Sequence, residues 1–231
     1  MPKARAQAAT TTPTSATSAS SGPAWPQLTT CTDLKFEQLT SDLIIIENFV
    51  QPQQLKQWKQ FLPTLNLTAP DAQTKPGHAQ RSNFRFQTHD VNFARSLWSN
   101  TGLDKFCQQH VPSHVKSKQP VGLNSNIRVY KYPEGSFFGP HYDDDVYDPT
   151  TKRRSEWTLL VYLTGQSDGV VGGETAFYPQ ANNKTDGPRL DVDLVAGRAL
   201  LHRHGHACML HEGRKVDSGI KWVLRSDIMY A

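Results

Sequence analysis

Cysteine is scarce, with three in 231 residues: Cys31, Cys107 and Cys208. An odd, widely spread set does not make the disulfide framework of a small secreted domain, so three reduced thiols in a reducing compartment are expected. Long apolar runs are missing too. The best of them, Leu43 to Ile46, is closed off by Asp42 and Glu47, far short of the ~18 apolar residues a membrane helix needs. Nor is there a strong excess of one charge. The formal net charge is +4, and residues 1–32 hold Lys3 and Arg5 but no acid, which leaves 23 bases against 21 acids, or +2, for the rest. That balance argues against a nucleic-acid binder that works by bulk electrostatics, which needs a basic excess or stripe. No internal repeat is present.

What remains is ordinary globular composition, 37% hydrophobic and 20% charged, with one compositional break. Residues 1–27 are mostly Ala, Thr, Ser and Pro and read as a disordered, low-complexity tail, because they have too little apolar surface to offset the entropy of ordering. The tail lacks the apolar centre of a secretory signal, and two basic residues make a poor transit peptide. A cytoplasmic or nuclear protein is expected. Residues 28–231 read as one domain.

The domain changes texture along its length. Leu43 to Ile46 predicts a short buried strand. Pro52 stands at a tolerated first-turn position, and Leu55, Trp58, Phe61 and Leu62 then share one helical face. Asp90 is placed to cap a second helix carrying Phe93, Leu97 and Trp98, and Asn100-Thr101-Gly102 separates it from a shorter piece with Leu103 and Phe106. Beyond Gly122 come short β-branched and aromatic segments parted by Gly, Pro and Asp: 126–132, 137–142, 157–163, 174–178, 190–195, 199–204, 207–211 and 221–230. In the last, Lys221, Val223 and Arg225 alternate with Trp222, Leu224 and Ser226. Helices followed by about eight strands predict an α+β, mainly β chain: a two-sheet jelly roll with helices packed on one sheet.

Chemistry concentrates in two places. His141 and Asp143 lie two apart on a predicted strand, so both side chains leave the same face. Such a pair grips a metal only with a third ligand from elsewhere, and four histidines compete for that place: His202, His204, His206 and His211. A histidine cluster can also bind zinc in its own right. Lys221, on the face shared with Val223, would be a costly buried ammonium unless an anion meets it.

The order of these residues resembles the Fe(II)- and 2-oxoglutarate-dependent dioxygenases, in particular the prolyl 4-hydroxylase branch. The resemblance rests on His141-Tyr142-Asp143, on His211 with Lys221 ten residues later, on Tyr132 nine residues before His141, on Gly172 to Tyr178, and on Gly197 before an apolar strand. It spans about residues 124–230 and implies a double-stranded β-helix as the catalytic core, at about 124–231. It also implies His141, Asp143 and His211 as catalytic iron ligands. Lys221 is then the anchor for the distal carboxylate of 2-oxoglutarate, with Tyr132 and Thr175 beside the cosubstrate and Arg225 as the alternative anchor. Fe(II), 2-oxoglutarate and O2 follow as cofactors and cosubstrates, with ascorbate a further expected cofactor. Two imidazoles and one carboxylate leave three adjacent coordination positions open, which suits non-haem iron. The implied reaction hydroxylates an unactivated C–H bond and releases succinate and CO2.

A prolyl residue of a protein or peptide is the implied target, with a small molecule or free amino acid as the alternative and nucleic acid disfavoured by charge. A metal-retaining sensing module without turnover, or a zinc hydrolase activating water, stays open as a different class. The stretch 144–156 is expected as an irregular loop over the site mouth. Arg153 and Arg154, or Arg81 and Arg85, are expected to meet substrate.

Overall fold

The computed structural model describes residues 22–29, 34–70, 79–149, 151–180, 185 and 187–231. Most of the expected tail, residues 1–21, and Cys31 lie outside the described residues. The chain begins with the hairpin β1 (Phe36–Thr40) and β2 (Leu43–Ile46), then helix α1 (Pro52–Phe61), strand β3 (Phe84–His89) and helices α2 (Val91–Ser99) and α3 (Leu103–His110). Next come β4 (Pro120–Leu123), β5 (Asn126–Tyr132), β6 (Phe138–His141), β7 (Tyr147–Asp148) and β8 (Arg153–Tyr162). The chain closes with β9 (Val171–Gly172), β10 (Thr175–Tyr178), β11 (Leu190–Val192), β12 (Ala199–Arg203), β13 (Leu210–Gly213), β14 (Val216–Ser218) and β15 (Lys221–Tyr230).

Two antiparallel sheets make the jelly roll. The major one runs β1-β2-β12-β8-β15-β5-β3, with β4 beside β15 and β7 beside β8, and the minor one runs β11-β10-β13-β6. The period of two divides each major strand between two cores. Trp157, Leu159, Val161, Leu201, Trp222 and Leu224 face the helices and pack with Trp58, Leu97 and Phe106. Tyr162, Leu200 and Val223 face inward and pack with Tyr132, Phe177 and Val192 between the sheets. Covered on both faces, β15 is buried over all ten of its residues. This mainly β double-stranded β-helix with helices on one sheet is the architecture expected from the sequence. Among the described residues no helix is long and apolar enough to cross a membrane.

The second helix begins as expected, with Asp90 Oδ1 accepting from Phe93 N at 2.9 Å. Three expectations need correction. Residues 22–27 do not all belong to a disordered tail: Trp25 stacks on Phe93 at 4.2 Å between ring centroids, and its Nε1 donates to Asp90 Oδ2 at 2.9 Å. A single large aromatic in a polar run escapes a composition test, yet it fills the notch between α1 and α2. The stretch 144–156 is not simply an irregular loop, since Tyr147 and Asp148 pair with Arg154 and Arg153 as a short hairpin. Residues 207–209 are not strand, because Gly205–Ala207 forms a 3-10 turn and β13 starts at Leu210. Both free thiols that the structure describes, Cys107 and Cys208, are buried.

Candidate metal centre

The minor sheet brings the first two donors together. β6 and β13 are adjacent, and His141 is the direct cross-strand partner of His211. Their rings lie 4.3 Å apart, centroid to centroid. Phe138 stacks on His141 at 3.8 Å and Phe177 on His211 at 5.4 Å, so each imidazole is held by an aromatic face. Each also hydrogen-bonds through Nδ1 to a backbone carbonyl, Gly139 O at 2.8 Å and Met209 O at 2.9 Å. A carbonyl only accepts, so Nδ1 carries the proton and Nε2 keeps its lone pair.

Asp143, just beyond β6, turns into the same space. Its Oδ1 lies 3.7 Å from His141 Nε2 and its Oδ2 lies 3.7 Å from His211 Nε2. One ligand atom from each of the three residues falls within 4.8 Å of the others. Donors at about 2.0–2.2 Å from one first-row ion must lie about this close together. The protonation states suit a cation. Burial, with His211 alongside, pushes His141 down to about 3, and burial also lowers His211. Burial alone would raise Asp143, but the Arg225 guanidinium beside it holds its carboxyl well below the usual range. Two neutral imidazoles and an ionised carboxylate are the forms that bind metal. The donor set therefore fits iron.

Asp143 is fixed by groups that the spacing of motifs does not reveal. Arg225 Nη1 donates to Oδ1 at 2.8 Å, and Thr158 Oγ1 donates to Oδ2 at 3.1 Å. Thr158 lies 2.9 Å from His204 Nδ1, and His204 Nε2 lies 2.9 Å from Ser155 Oγ, which extends the chain outward along β8. Inward alternation on β8 and β12 is the signal that would have found Thr158 and His204. Arg225, the alternative anchor from sequence, instead spends its guanidinium on Asp143 and Asp227.

A cavity of about 420 Å³, counting its open mouth, runs from the triad to Lys221. Tyr132, Thr175, Gly213, Lys221 and Arg225 line it together with His141, Asp143 and His211. Lys221 is 2% exposed. Its Nζ donates to Gly173 O at 2.6 Å and sits over the rings of Tyr132 and Tyr162, 4.9 and 5.9 Å from their centroids. Among the described residues no carboxylate reaches Nζ within ion-pair distance. Burial accordingly pushes Lys221 down to about 7, opposed only by the charge of Glu174. Gly173 makes room for it, since a Cβ there would stand 3.3 Å from Lys221 Cδ. The Thr175 hydroxyl accepts from Tyr162 at 2.8 Å on the same wall.

The remaining histidines separate. His206 is exposed and lies tilted against His114, with 4.3 Å between ring centroids, away from the triad. His204 belongs to the Thr158 chain. His202 is buried beside His211, with 4.7 Å between ring centroids. Of the four arginines expected at the substrate, Arg154 pairs with Asp145 at 2.7 Å. Arg153 lies in the β7–β8 hairpin and Arg85 pairs with Tyr130 across β3 and β5. Arg81 bridges Phe138, and its charge reaches Tyr132.

Residues 127–226 match the family model described as the 2OG-Fe(II) oxygenase superfamily. A comparison with curated proteins finds no match. Among solved structures, the chain resembles a 2OG-Fe(II) oxygenase family oxidoreductase from Burkholderia pseudomallei, with TM-score 0.56 and 14% identity over 82% of this chain and 85% of that one. It also resembles a prolyl-4-hydroxylase from Pseudomonas putida, with TM-score 0.53 and 16% identity over 81% and 91% of the two chains. A third is the viral collagen prolyl hydroxylase of Paramecium Bursaria Chlorella virus-1 in its 2OG complex, with TM-score 0.52 and 17% identity over 81% and 95%. At these identities the likeness is one of fold.

Proposed function

Because the β core of this chain is a 2OG-Fe(II) oxygenase domain, of a superfamily that uses Fe(II), 2-oxoglutarate and O2, we propose that the protein hydroxylates a prolyl residue of a protein or peptide. One observation carries the cosubstrate half of this reading: a buried ammonium, Lys221, with no acidic partner among the described residues, at the far end of the cavity that holds the His141, Asp143 and His211 donors. A buried cation of this kind is stable only if an anion arrives. A keto diacid supplies that anion at one end and a chelating keto acid at the other.

His141, Asp143 and His211 would hold the iron, which when bound supplies the oxidising power for attack on a C–H bond. Lys221 holds the distal carboxylate, and the Tyr132 ring supports the Lys221 charge by a cation–π contact. Thr175 and Gly213 shape the wall around the cosubstrate chain. Arg225 and Thr158 keep both oxygens of Asp143 in place while metal is exchanged. The aromatic and aliphatic lining from Tyr130, Phe138, Leu160 and Val223 keeps bulk water from the reacting centre.

The prolyl target is supported by the lysine anchor ten residues after His211 and by the fold shared with two prolyl hydroxylases. An Fe(II)-dependent succinate assay with proline-containing peptides tests it, with Asp143→Ala as the inactive control. Peptide-stimulated succinate with a mass gain of one oxygen on proline is the expected result. Succinate release that no peptide stimulates, but a free amino acid or other small metabolite does, would replace the prolyl target with a small molecule.

A further inference from the structure

The segment 143–146 between β6 and β7 is held to β8 at both ends, and one histidine links the two attachments. At its start the Asp143 carboxylate accepts from Thr158 Oγ1 at 3.1 Å. At its end Val146 N donates to Ser155 Oγ at 2.9 Å, and Ser155 N donates back to Val146 O at 2.9 Å. Ser155 and Thr158 are three apart on β8, a spacing that a regular strand sends to opposite faces. The register against β15 explains how they come to share one. Ile228 pairs with Trp157 but Met229 pairs with Ser155, so Glu156 is an extra residue in β8. Such a bulge re-aims a side chain, and bulges gather beside active sites. Glu156 points the other way and accepts from Ser113 Oγ and His114 N at 2.9 and 2.7 Å, while Ser155 turns in.

His204 fills the space between the two hydroxyls. It is 1% exposed, its N donates to the bulge carbonyl Glu156 O at 3.0 Å, and it does not line the cavity. Nδ1 lies 2.9 Å from Thr158 Oγ1, and Nε2 lies 2.9 Å from Ser155 Oγ. The two ends of this chain fix every proton in it. An ionised carboxylate only accepts, so the Thr158 hydroxyl spends its hydrogen on Asp143 and accepts from His204 Nδ1. In a neutral ring Nε2 then accepts from the Ser155 hydroxyl, whose oxygen accepts from Val146 N. Four hydrogens serve four bonds, all directed toward the metal carboxylate. Burial pulls His204 below the usual imidazole range, which favours the neutral ring that this chain requires.

Resting on the iron-site reading above, we propose that His204 is a positioning residue. Its Nδ1–H tautomer, set by Ser155 at the β8 bulge, holds the Thr158 hydroxyl on Asp143 and so keeps that carboxylate turned toward His141 and His211. His204 acts on the metal through Thr158.

Nitrogen-15 NMR of histidine-labelled, metal-free protein reads the tautomer directly, with His204→Asn to assign the signal. A neutral ring protonated on Nδ1 is the expected result, and a ring protonated on Nε2 or on both nitrogens overturns the proposal. Co(II) affinity reads the consequence. Thr158→Val and His204→Leu should each weaken binding about 10-fold, the usual cost of losing a ligand's outer partner. The double variant should lose no more than Thr158→Val by itself. Losses that multiply to about 100-fold overturn the proposal, because that is how independent sites behave. His204→Asn, which keeps an N–H near the Nδ1 position, should recover most of the affinity lost in His204→Leu, whereas a residue needed only for packing would be served better by leucine. Metal-free thermal unfolding checks that the variants fold, and the wild-type tautomer decides the matter if one does not. Failure of the iron-site reading would look different: His141→Ala would leave Co(II) binding intact while the tautomer still appeared as expected.

Discussion

The Lys221 ammonium makes cosubstrate binding a proton-uptake reaction. Burial holds the free group at about 7, so at pH 7 about half of the molecules carry a neutral amine, at pH 8 about nine in ten, and at pH 6 about one in ten. A carboxylate about 4 Å away, at an effective dielectric of ~20, contributes ~4 kcal/mol, or roughly three pKa units, and restores the group to about 10. Binding of 2-oxoglutarate should therefore take up ~0.1 proton at pH 6, ~0.5 at pH 7 and ~0.9 at pH 8. Calorimetry in two buffers of different ionisation enthalpy measures this directly, on protein loaded with Co(II) and kept free of oxygen so that nothing turns over. Lys221→Met should abolish the pH-dependent uptake and weaken binding ~10–150-fold, the value of a charge-assisted hydrogen bond. Uptake that stays flat from pH 6 to 8, or that survives in Lys221→Met, would refute the assignment of Lys221 as the anchor.

The same group should write its signature on the stability of the free protein. Its folded pKa lies below its unfolded value of about 10.4, so the unfolded chain binds more protons between the two, and stability should rise with pH by up to ~1.4 kcal/mol per unit across about pH 7–10. Denaturant unfolding of wild type against Lys221→Met isolates this slope, and identical pH profiles would contradict it. Arg225→Gln leaves the Asp143 carboxylate buried without its cation and should cost ~3–5 kcal/mol in metal-free protein. Co(II) should restore part of that loss by replacing the missing charge, as thermal shift with and without metal would show. Trp25→Ala removes an aromatic packed among Trp58, Phe61, Phe86 and Phe93 and should cost ~3 kcal/mol. A change under ~0.5 kcal/mol would mean that residues 22–27 lie outside the folded unit.

Period-two patterning carried much of the fold and the site, because a strand sorts its side chains between two faces whatever its neighbours are. That rule placed Lys221, Val223 and Arg225 inside and Trp222 and Leu224 outside before any partner strand was known. It brings His141 to the metal centre by itself; Asp143, two residues past the end of β6, depends on the turn that follows. Spacing named the residues but not their partners. Arg225 reads from its position on β15 as the alternative carboxylate anchor, and only the approach of the β6 turn hands it to Asp143. The order of four histidines in 202–211 likewise hides three fates. Alternation along β12, carried one residue past its end, sends His202 and His204 inward together, the 3-10 turn at Gly205 throws His206 out to His114, and the resumption of strand at Leu210 returns His211 to the cavity. The closed barrel also sets β12 opposite β13 and makes His202 and His211 neighbours. What is lost on going from chain to sequence motif is therefore cross-sheet distance, and it is across the sheets that Asp143 finds Arg225, Thr158 and His202.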